Sequence, residues 1–402
     1  MNSILHAGNV LAGGVALLLF AVGCAHPTAL DAPRDELRQE LDAARHELFR
    51  EWPENIPVGI AFYVTDGKDE LFLTSGLPKG VSPDSHYRLA SMTKNFTAAA
   101  ILLLAQEGKL RLDDTLAAPM PGKTEPYVPP TADFDFPYKD RITIRRLLEH
   151  RAGFYDITND EVKTGEKAPY ANGDYIAWME KQDPLHRFTV AEMVGVQSRF
   201  HLTYGEPGTS HYSNMGFGLL SVIVERVAGV DFPVFVRERL LKPNQLEHTS
   251  IPVAGSDRTL PEPFLPGYLR EKDGKVRSAT ERNPSVFPGS GNMVSTMRDM
   301  TRWLRRLYAG QGGLNLAMLK EMTGDGKLDY ALGTMRFHRT AFGHNGVFNG
   351  YFSCHYYDTA TGLSWVLVCN AMSGGIANQL EVLNAFQSKM LERYTELMKS
   401  NH

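Results

Sequence analysis

One helix pattern constrains this chain more than any other feature of its sequence, because it is apolar on every side. Residues 96–105 are almost without polar side chains, and Gly108, a residue type that ends many helices, follows them. Such a helix has no face to present to water, so other elements must surround it. We therefore predict a central, buried helix with Ser91 at its start.

The two ends of the chain carry the patterns of one sheet. A helix-favouring stretch at residues 34–52 precedes two alternating runs, 59–64 and 70–75, which are joined by an Asp-Gly turn signal. Strand patterns return at residues 331–337, 348–357 and 363–369, and an amphipathic helix follows from residue 376 to residue 397. We predict an α/β (α+β) fold, in which helices flank an antiparallel sheet built from both chain ends. Residues of about 110–285, rich in Pro, Gly and short helical patterns, are predicted to form a mainly helical insert.

Ser91 and Lys94 form a Ser-x-x-Lys pair at the start of the predicted buried helix. A serine hydroxyl is a weak nucleophile at neutral pH and needs a base to accept its proton. Side chains three residues apart share a helix face, and burial would lower the pKa of Lys94 towards neutrality. Taken alone, such a pair more often marks a capping serine followed by a solvated lysine.

Tyr212, Ser213 and Asn214 precede a second apolar helix pattern. A tyrosine oxygen close to Ser91 and Lys94 could relay protons, and Asn214 could bind a substrate carbonyl and hold the lysine. The alternative is a core tyrosine with its hydroxyl satisfied and an asparagine that caps the helix.

A third pattern, His344-Asn345-Gly346 followed by Val347, lies in the C-terminal strand region. Glycine allows a backbone to approach a ligand closely. The amides of Val347 and Ser91 could then bind an oxyanion together. Alone, His-x-Gly more often marks a turn.

In this order the three patterns resemble the motifs of the penicillin-recognising serine hydrolases. That family has Ser-x-x-Lys, then Tyr-x-Asn, then Lys/His-x-Gly. It includes class C β-lactamases, D-alanyl-D-alanine carboxypeptidases, D-aminopeptidases and related carboxylesterases. Residues 142–150, 207–209 and 343–346 also resemble family sequences, and the likeness runs from about residue 55 to residue 390.

The resemblance implies a β-lactamase/transpeptidase-like fold and an acyl-enzyme on Ser91, with one serine hydrolase domain over residues 30–400. Lys94 and Tyr212 would move the protons. Five residues would bind the substrate or the oxyanion: Asn214, His344, Asn345, Gly346 and Val347. The resemblance implies neither a cofactor nor a metal.

Departures from the family pattern bear on the substrate. Members that bind penicillins or peptidyl carboxylates have a hydroxyl residue in the middle of the third motif, often with another after the glycine. Here these positions are Asn345 and Val347, so efficient β-lactamase action is not expected. Arg336 or Arg339 could clamp a carboxylate, although a solvent-facing arginine is the commoner outcome.

His344 and Asn214 together favour a peptidase or amidase acting on D-amino-acid or peptidoglycan-like substrates, of the D-Ala-D-Ala carboxypeptidase or D-aminopeptidase type. A β-lactamase-like carboxylesterase is the alternative within the enzymes. From a different class, the alternative is a penicillin-binding sensor or a non-catalytic binding protein.

Two further segments spell the family motifs letter for letter. Lys-Thr-Gly at residues 163–165 lies in a polar stretch without an apolar strand, and it precedes the tyrosine motif. Tyr-Ala-Asn at residues 170–172 is followed by Gly-Asp in place of an apolar helix. We predict that neither segment belongs to the site.

The first 25 residues resemble a bacterial export signal, since the apolar stretch at residues 10–22 is too short to span a bilayer. Cys24 follows it, and the chain is expected either to be lipidated there or to be cleaved near Ala25. The protein would then be periplasmic or a membrane-anchored lipoprotein. A net charge of -4 without a long basic run argues against nucleic acid as a partner, and leaves a small-molecule or peptidoglycan-like substrate.

The other two cysteines, Cys354 and Cys369, flank a predicted hairpin whose turn is residues 358–362. In the register that places Tyr357 opposite Leu363, their thiols point to opposite faces of the sheet. A disulfide between them would exceed the limit of roughly 7 Å between Cα atoms. We predict two buried, free thiols.

Overall fold

A computed structural model describes residues 30–271, 273–372 and 375–400 of the chain. The helices in these ranges are α1 (Arg34–Phe49), α2 (Thr93–Gln106), α3 (Ile144–Leu148), α4 (Tyr175–Gln182), α5 (Val190–Arg199), α6 (Asn214–Ala228), α7 (Phe232–Val236), α8 (Met297–Tyr308), α9 (Leu316–Thr323) and α10 (Ile376–Ser400). The strands are β1 (Ile60–Thr65), β2 (Glu70–Ser75), β3 (Tyr87–Arg88), β4 (Tyr268–Arg270), β5 (Val276–Ser278), β6 (Val294–Ser295), β7 (Met335–Phe337), β8 (Ala341–Phe348), β9 (Tyr351–Asp358), β10 (Ser364–Cys369) and β11 (Ala371–Met372).

The main sheet of the described chain is antiparallel and has the strand order β2-β1-β10-β9-β8-β7. The N-terminal hairpin of β1 and β2 therefore joins the C-terminal strands, and Ile60 pairs with Cys369. The predicted fold class, with a sheet built from both chain ends, is confirmed. Every residue of β1 is buried, because α1 and α10 cover one face of the sheet and the helical part of the chain covers the other.

The helix α2 lies in the core, as its sequence predicts. All residues from Thr93 to Leu104 are buried, with α6, α7 and α9 packed against them. Phe96 stacks on Trp303 of α8 with ring centroids 4.5 Å apart. Each such side chain contributes about 1.5–3 kcal/mol through the removal of apolar surface from water. This packing makes α2 a rigid base for the residues at its N-terminus.

The segment between α2 and α8 holds the helices α3 to α7 and long loops. It also holds the short pair of β4 and β5, which is absent from the sequence-based prediction. β4 pairs in parallel with β11, the short strand that follows β10 in the sequence. The segment therefore reaches back to the C-terminal part of the chain.

The register of the last hairpin differs from the prediction by one residue. Asp358 is the last residue of β9 and not the first of the turn, so Tyr357 pairs with Ser364. A shift of one residue turns every side chain to the other face. The prediction that Cys354 and Cys369 point to opposite faces is therefore wrong, since both lie in the core beneath α1 and α10. Both are free and buried, as predicted.

The predicted export signal, with Cys24, lies outside the described residues. Among the helices that the structure does describe, none combines the length and the apolar character needed to cross a membrane.

Candidate active site

Ser91 lies in a short 3-10 turn, Ala90–Met92, that leads directly into α2. The preceding residue, Ala90, has a φ of 49°, in the left-handed region. That conformation costs an alanine roughly 1–2 kcal/mol, so the surrounding packing must hold it. The amide of Ser91 belongs to the first helical turn, where N–H groups have no partner within the helix. This amide is therefore free to bind an anionic oxygen.

Gly346 explains how β8 comes so close to the turn that carries Ser91. A Cβ atom at this position would lie 2.3 Å from the carbonyl oxygen of Leu89, well inside van der Waals contact. Any side chain here would push β8 and the turn apart. The glycine thus allows the backbones of β8 and of the Ser91 turn to lie close together. The sequence had instead suggested that it allows the backbone to lie close to a ligand.

Lys94 is fully buried, and its Nζ has three oxygen neighbours. Nζ lies 3.1 Å from Ser91 Oγ, 2.6 Å from Asn214 Oδ1 and 3.1 Å from the carbonyl oxygen of Ser290. Burial lowers the pKa of Lys94 to about 7, and the charge of Asp156 partly opposes this shift. About half of the lysine is therefore unprotonated near neutral pH.

The neighbours of Lys94 fit an unprotonated amine. Such an amine has two N–H donors and one lone pair. Asn214 Oδ1 and the Ser290 carbonyl can only accept, so they take the two donors. The lone pair then faces Ser91, whose hydroxyl is the neighbour that can donate.

Asn214 is the first residue of α6 and is buried. Ser213, and not Asn214, caps this helix, since its Oγ accepts a hydrogen bond from the Gly216 amide at 3.1 Å. The alternative in which Asn214 is merely a cap is thereby excluded. Its side chain is left to contact Lys94.

Tyr212 lies beside the lysine, with the Lys94 Nζ 4.7 Å from its ring centroid. Tyr212 lines the cleft, and 39% of its surface is exposed. Burial raises the pKa of Tyr212, and a hydrogen bond with Ser91 works in the opposite direction. A hydroxyl between the serine and the cleft can pass a proton in either direction.

The ring of His150 packs against that of Tyr212. The sequence-based prediction did not include His150 among the site residues. Its ring lies 4.1 Å from the Tyr212 ring, and its Nδ1 accepts from the Ser213 amide at 3.1 Å. Burial and the nearby Lys94 hold the pKa of His150 well below its usual value, so it is neutral. The signal for it is its place in residues 142–150, which resemble family sequences.

His344 is buried and neutral, because desolvation lowers its pKa to about 3. Its Nδ1 lies 2.5 Å from the Asn345 carbonyl oxygen, and its Nε2 lies 3.2 Å from the hydroxyl of Tyr330. Asn345 Oδ1 accepts from Tyr356 at 2.9 Å. Both side chains therefore have protein partners, although both residues line the cleft.

The amide of Val347 points away from β9. The hairpin Phe348–Tyr351 has a two-residue loop, so Phe348 and Tyr351 form the hydrogen-bonded pair next to it. Pairs alternate along an antiparallel ladder, so Val347 and Phe352 form a non-hydrogen-bonded pair. The Val347 N–H therefore has no partner on β9, and Val347 and Ser91 line the same cleft.

A cleft of 480 Å³ opens in front of Ser91. Of the residues predicted for the site, Ser91, Tyr212, Asn214, His344, Asn345 and Val347 line it, and Lys94 and Gly346 do not. Its apolar wall consists of Phe287, Met335, Phe348, Phe352, Ile376 and Leu380. Asn159 also lines it. Among the described residues that line the cleft, none carries a charged side chain.

Neither arginine proposed as a carboxylate clamp reaches the cleft. Arg336 pairs with Asp329 at 2.7 Å and donates to the Gly326 carbonyl at 2.9 Å. Arg339 is exposed to solvent. Solvent and ion-pair roles therefore account for both side chains.

The two look-alike segments lie outside the cleft. Lys163 is exposed. Tyr170 packs in an aromatic cluster, with ring centroids 4.8 Å from Tyr175 and 5.2 Å from Trp178. Within the described ranges, no group of three or more His, Cys, Asp or Glu side chains is arranged to hold a metal ion.

A family model described as Beta-lactamase matches residues 48–386, most of the chain. The chain belongs to the Beta-lactamase family. Among curated relatives in sequence, Protein flp of Staphylococcus aureus (strain MW2) is 29% identical over 283 residues, which are 67% of this chain and 49% of the relative. Penicillin-binding protein 4* of Bacillus subtilis (strain 168) is 29% identical over 239 residues, 56% of this chain and 45% of the relative. The chain spans about half the length of the curated relatives it matches.

Solved structures of the same fold include two amide hydrolases. A D-stereospecific amidohydrolase from Streptomyces sp. has a TM-score of 0.69 and 27% identity, covering 87% of this chain and 97% of its own. D-amino acid amidase from Ochrobactrum anthropi SV3 has a TM-score of 0.68 and 23% identity, covering 93% and 99%. The second likeness shows the fold alone. With the family match, these relatives place the chain in the β-lactamase-related, penicillin-binding-protein-like superfamily.

Proposed function

We propose that this protein is a serine hydrolase that cleaves amide bonds of small, uncharged D-amino-acid derivatives through an acyl-enzyme on Ser91. The observation that carries the proposal is the environment of Lys94, in which burial and two acceptors present a lone pair to the Ser91 hydroxyl. A base with a pKa of about 7 suits general base catalysis at neutral pH.

Acylation begins when the Ser91 hydroxyl gives its proton to Lys94 and its oxygen bonds to the substrate carbonyl carbon. The carbonyl π electrons move to the oxygen, and the amides of Ser91 and Val347 stabilise the resulting negative charge. When the tetrahedral intermediate collapses, the C–N bond breaks. The leaving amine takes the proton from Lys94 by way of the Tyr212 hydroxyl, and the ester on Ser91 remains.

Deacylation reverses this order with water as the nucleophile. Water gives a proton to Tyr212, which passes its own to Lys94, and the hydroxide oxygen bonds to the ester carbon. The second tetrahedral intermediate expels Ser91 Oγ, which takes back a proton from Lys94. The products are a carboxylic acid and the regenerated serine.

The cleft supports an uncharged substrate with an apolar side chain. Its apolar wall can bury such a side chain, at about 25 cal/mol per Å² of surface removed from water. A D-Ala-D-Ala carboxypeptidase must bind a free carboxylate, and no charged side chain lines the described cleft to pair with one. The likeness to the D-stereospecific amidohydrolase, at 27% identity, supports amides of D-amino acids as substrates.

A carboxylesterase is the second candidate, because the same apolar wall accommodates the acyl group of a simple ester. A penicillin-binding sensor, which is acylated but does not deacylate, is the third. The three candidates share the acylation step and differ in leaving group and in the rate of deacylation.

Intact-mass spectrometry after incubation with a fluorophosphonate and with benzylpenicillin tests the acyl-enzyme. We expect a fluorophosphonate adduct on Ser91, no adduct on Ser91→Ala, and an unchanged adduct on Ser221→Ala, which removes another buried serine. Rates on N-acetyl-D-Phe-amide, N-acetyl-L-Phe-amide, a D-Ala-D-Ala peptide, p-nitrophenyl butyrate and nitrocefin then separate the candidates. Turnover of N-acetyl-D-Phe-amide above the others is expected. A lasting penicillin adduct without turnover would instead establish a sensor, and no adduct at all would refute the mechanism.

We also propose that the protein is exported and either lipidated on Cys24 or cleaved near it, which rests on the sequence of residues 1–25. Metabolic labelling with an alkyne fatty acid tests the choice. Label that is present on the wild type and lost in Cys24→Ala supports the lipoprotein, and its absence from both supports ordinary cleavage.

A further inference from the structure

Asp156 is a fully buried carboxylate close to the cleft, and the proton transfers described above do not use it. Its Oδ2 accepts hydrogen bonds from the Asn214 amide at 2.9 Å and from Asn159 Nδ2 at 2.7 Å. Its Oδ1 accepts from Thr158, from the amide at 3.2 Å and from Oγ1 at 2.7 Å. Burying a charge is costly unless hydrogen bonds compensate it, and here four donors do so.

The same carboxylate holds Asn214 at a second point. The Asn214 Nδ2 donates to Thr158 Oγ1 at 3.0 Å, and that hydroxyl donates in turn to Asp156. The backbone and the side-chain amide of Asn214 are thus both tied to Asp156. What remains of the side chain is Oδ1, which contacts Lys94 Nζ at 2.6 Å.

We propose that Asp156 is a positioning residue of this enzyme, which fixes Asn214 against Lys94 and places a negative charge behind that pair. The inference rests on the proposed roles of Ser91 and Lys94. It adds a carboxylate that touches neither substrate nor reacting atoms and acts through two residues of the site.

The charge of Asp156 matters because the other titratable groups described around Lys94 are neutral. Burial raises the pKa of Tyr212 and lowers the pKa values of His150 and His344. The Asp156 charge raises the pKa of Lys94, against the larger effect of burial. Without that charge the pKa of Lys94 falls further, so the lysine loses its proton at lower pH but is a weaker base.

Three variants separate positioning from general stability. Asp156→Asn removes the charge at similar volume, and Thr158→Val breaks the bridge to the Asn214 side chain without a change of charge. Asp299→Asn is the matched control, since Asp299 in α8 is 2% exposed and accepts from the His248 amide and from Thr249 Oγ1. Melting temperatures are recorded for each.

The measurement is the second-order rate of Ser91 labelling by a fluorophosphonate between pH 5 and 9, followed by intact mass. This probe does not titrate and needs no knowledge of the natural substrate. We expect Asp156→Asn to lower the plateau rate by about tenfold to a hundredfold. The acidic limb of its pH–rate profile, where the rate falls because Lys94 is protonated, should move to lower pH by about one unit. Thr158→Val should lower the plateau and leave the limb in place, and Asp299→Asn should change neither.

Folded Asp156→Asn with the wild-type limb would overturn the proposal, because a merely structural residue lowers the rate without moving the limb. If Asp156→Asn does not fold, the test is the Thr158→Val variant. A plateau labelling rate equal to that of the wild type in this variant would likewise overturn the proposal. A wild-type protein that is not labelled on Ser91 would refute the proposed function, and this inference with it. Labelled wild type with an unaffected Asp156→Asn refutes this inference alone.

Discussion

Two segments of this chain spell Tyr-x-Asn, and they lie in different structural surroundings. At residues 170–172 the tyrosine ring packs among other aromatic rings, and Asn172 turns the chain with a φ of 55°. At residues 212–214 the asparagine begins α6, which packs beside α2 and brings its oxygen to Lys94. The letters are the same, and only the second copy opens an apolar helix that enters the core. The second segment therefore reaches Lys94 because the helix that follows it packs against α2.

The Lys-Thr-Gly segment at residues 163–165 and the His-Asn-Gly segment at residues 344–346 differ in the same way. A Cβ at Gly165 would have nothing within 4 Å, whereas one at Gly346 would collide with the Leu89 carbonyl. One glycine lies in open space, and the other lies where two backbones meet. Paired substitutions in the two sets of segments test this comparison.

The largest difference is expected between Lys94→Ala and Lys163→Ala. Loss of the general base should reduce Ser91 labelling by a fluorophosphonate about 10²–10⁴-fold. The exposed Lys163 should be replaceable without effect. Labelling rates of folded proteins, checked by circular dichroism, measure both. Near-full activity in Lys94→Ala would remove the lysine from the mechanism.

The next largest difference is expected between Tyr212→Phe and Tyr170→Phe. Removal of the relay hydroxyl should lower turnover of the best amide substrate about a hundredfold, because both acylation and deacylation pass a proton through it. Tyr170→Phe should stay within about twofold, as a surface-cluster change of this kind usually does. Equal losses in steady-state kcat would contradict the assignment of Tyr212.

A smaller effect is expected in stability for Gly346→Ala and Gly165→Ala. The new methyl group at residue 346 should cost about 1–3 kcal/mol of unfolding free energy through overpacking. The change at residue 165 should stay within about 0.5 kcal/mol. Denaturant titration measures both. Equal stability would show that β8 can move away from Leu89 at no cost.

The pH dependence of labelling in the wild type tests Lys94 without any substitution. Protonated Lys94 cannot accept the serine proton, so the rate should fall about tenfold for each pH unit below the lysine pKa of about 7. His344, with a pKa of about 3, does not titrate in this range. Rates from pH 5 to 9 measure the limb. A rate that still rises tenfold per pH unit at pH 9 would mean that Lys94 keeps the ordinary lysine pKa of 10.5 and behaves like an exposed lysine.

Some of this fold could be predicted because local patterns determine it. The N-terminal hairpin has alternating strands and an Asp-Gly turn, and α2 is apolar on every side; both are where the sequence places them. β8 was missed because its middle carries Gly343, His344, Asn345 and Gly346, which show no strand alternation. Its neighbours in the sheet determine that it is a strand.

The site residues also divide into those that a local sequence pattern predicts and those that it does not. Motif order and the pattern of the following helix were enough to favour Tyr212 over Tyr170. Asp156 could not be found, because its role depends on three-dimensional neighbours and no spacing marks it. Arg336 was offered as a clamp because the sequence does not show that Asp329 and Gly326 engage it.

The pairing of Ile60 with Cys369 also bears on when the enzyme becomes active during synthesis. Ser91 and Lys94 leave the ribosome early, but β8, β9 and β10 are made last, and contacts between such distant residues form slowly. The apolar wall of the cleft depends on Ile376 and Leu380 from the final helix. The nascent chain therefore carries Ser91, the proposed nucleophile, for most of translation before the strands and the helix that complete the cleft are made.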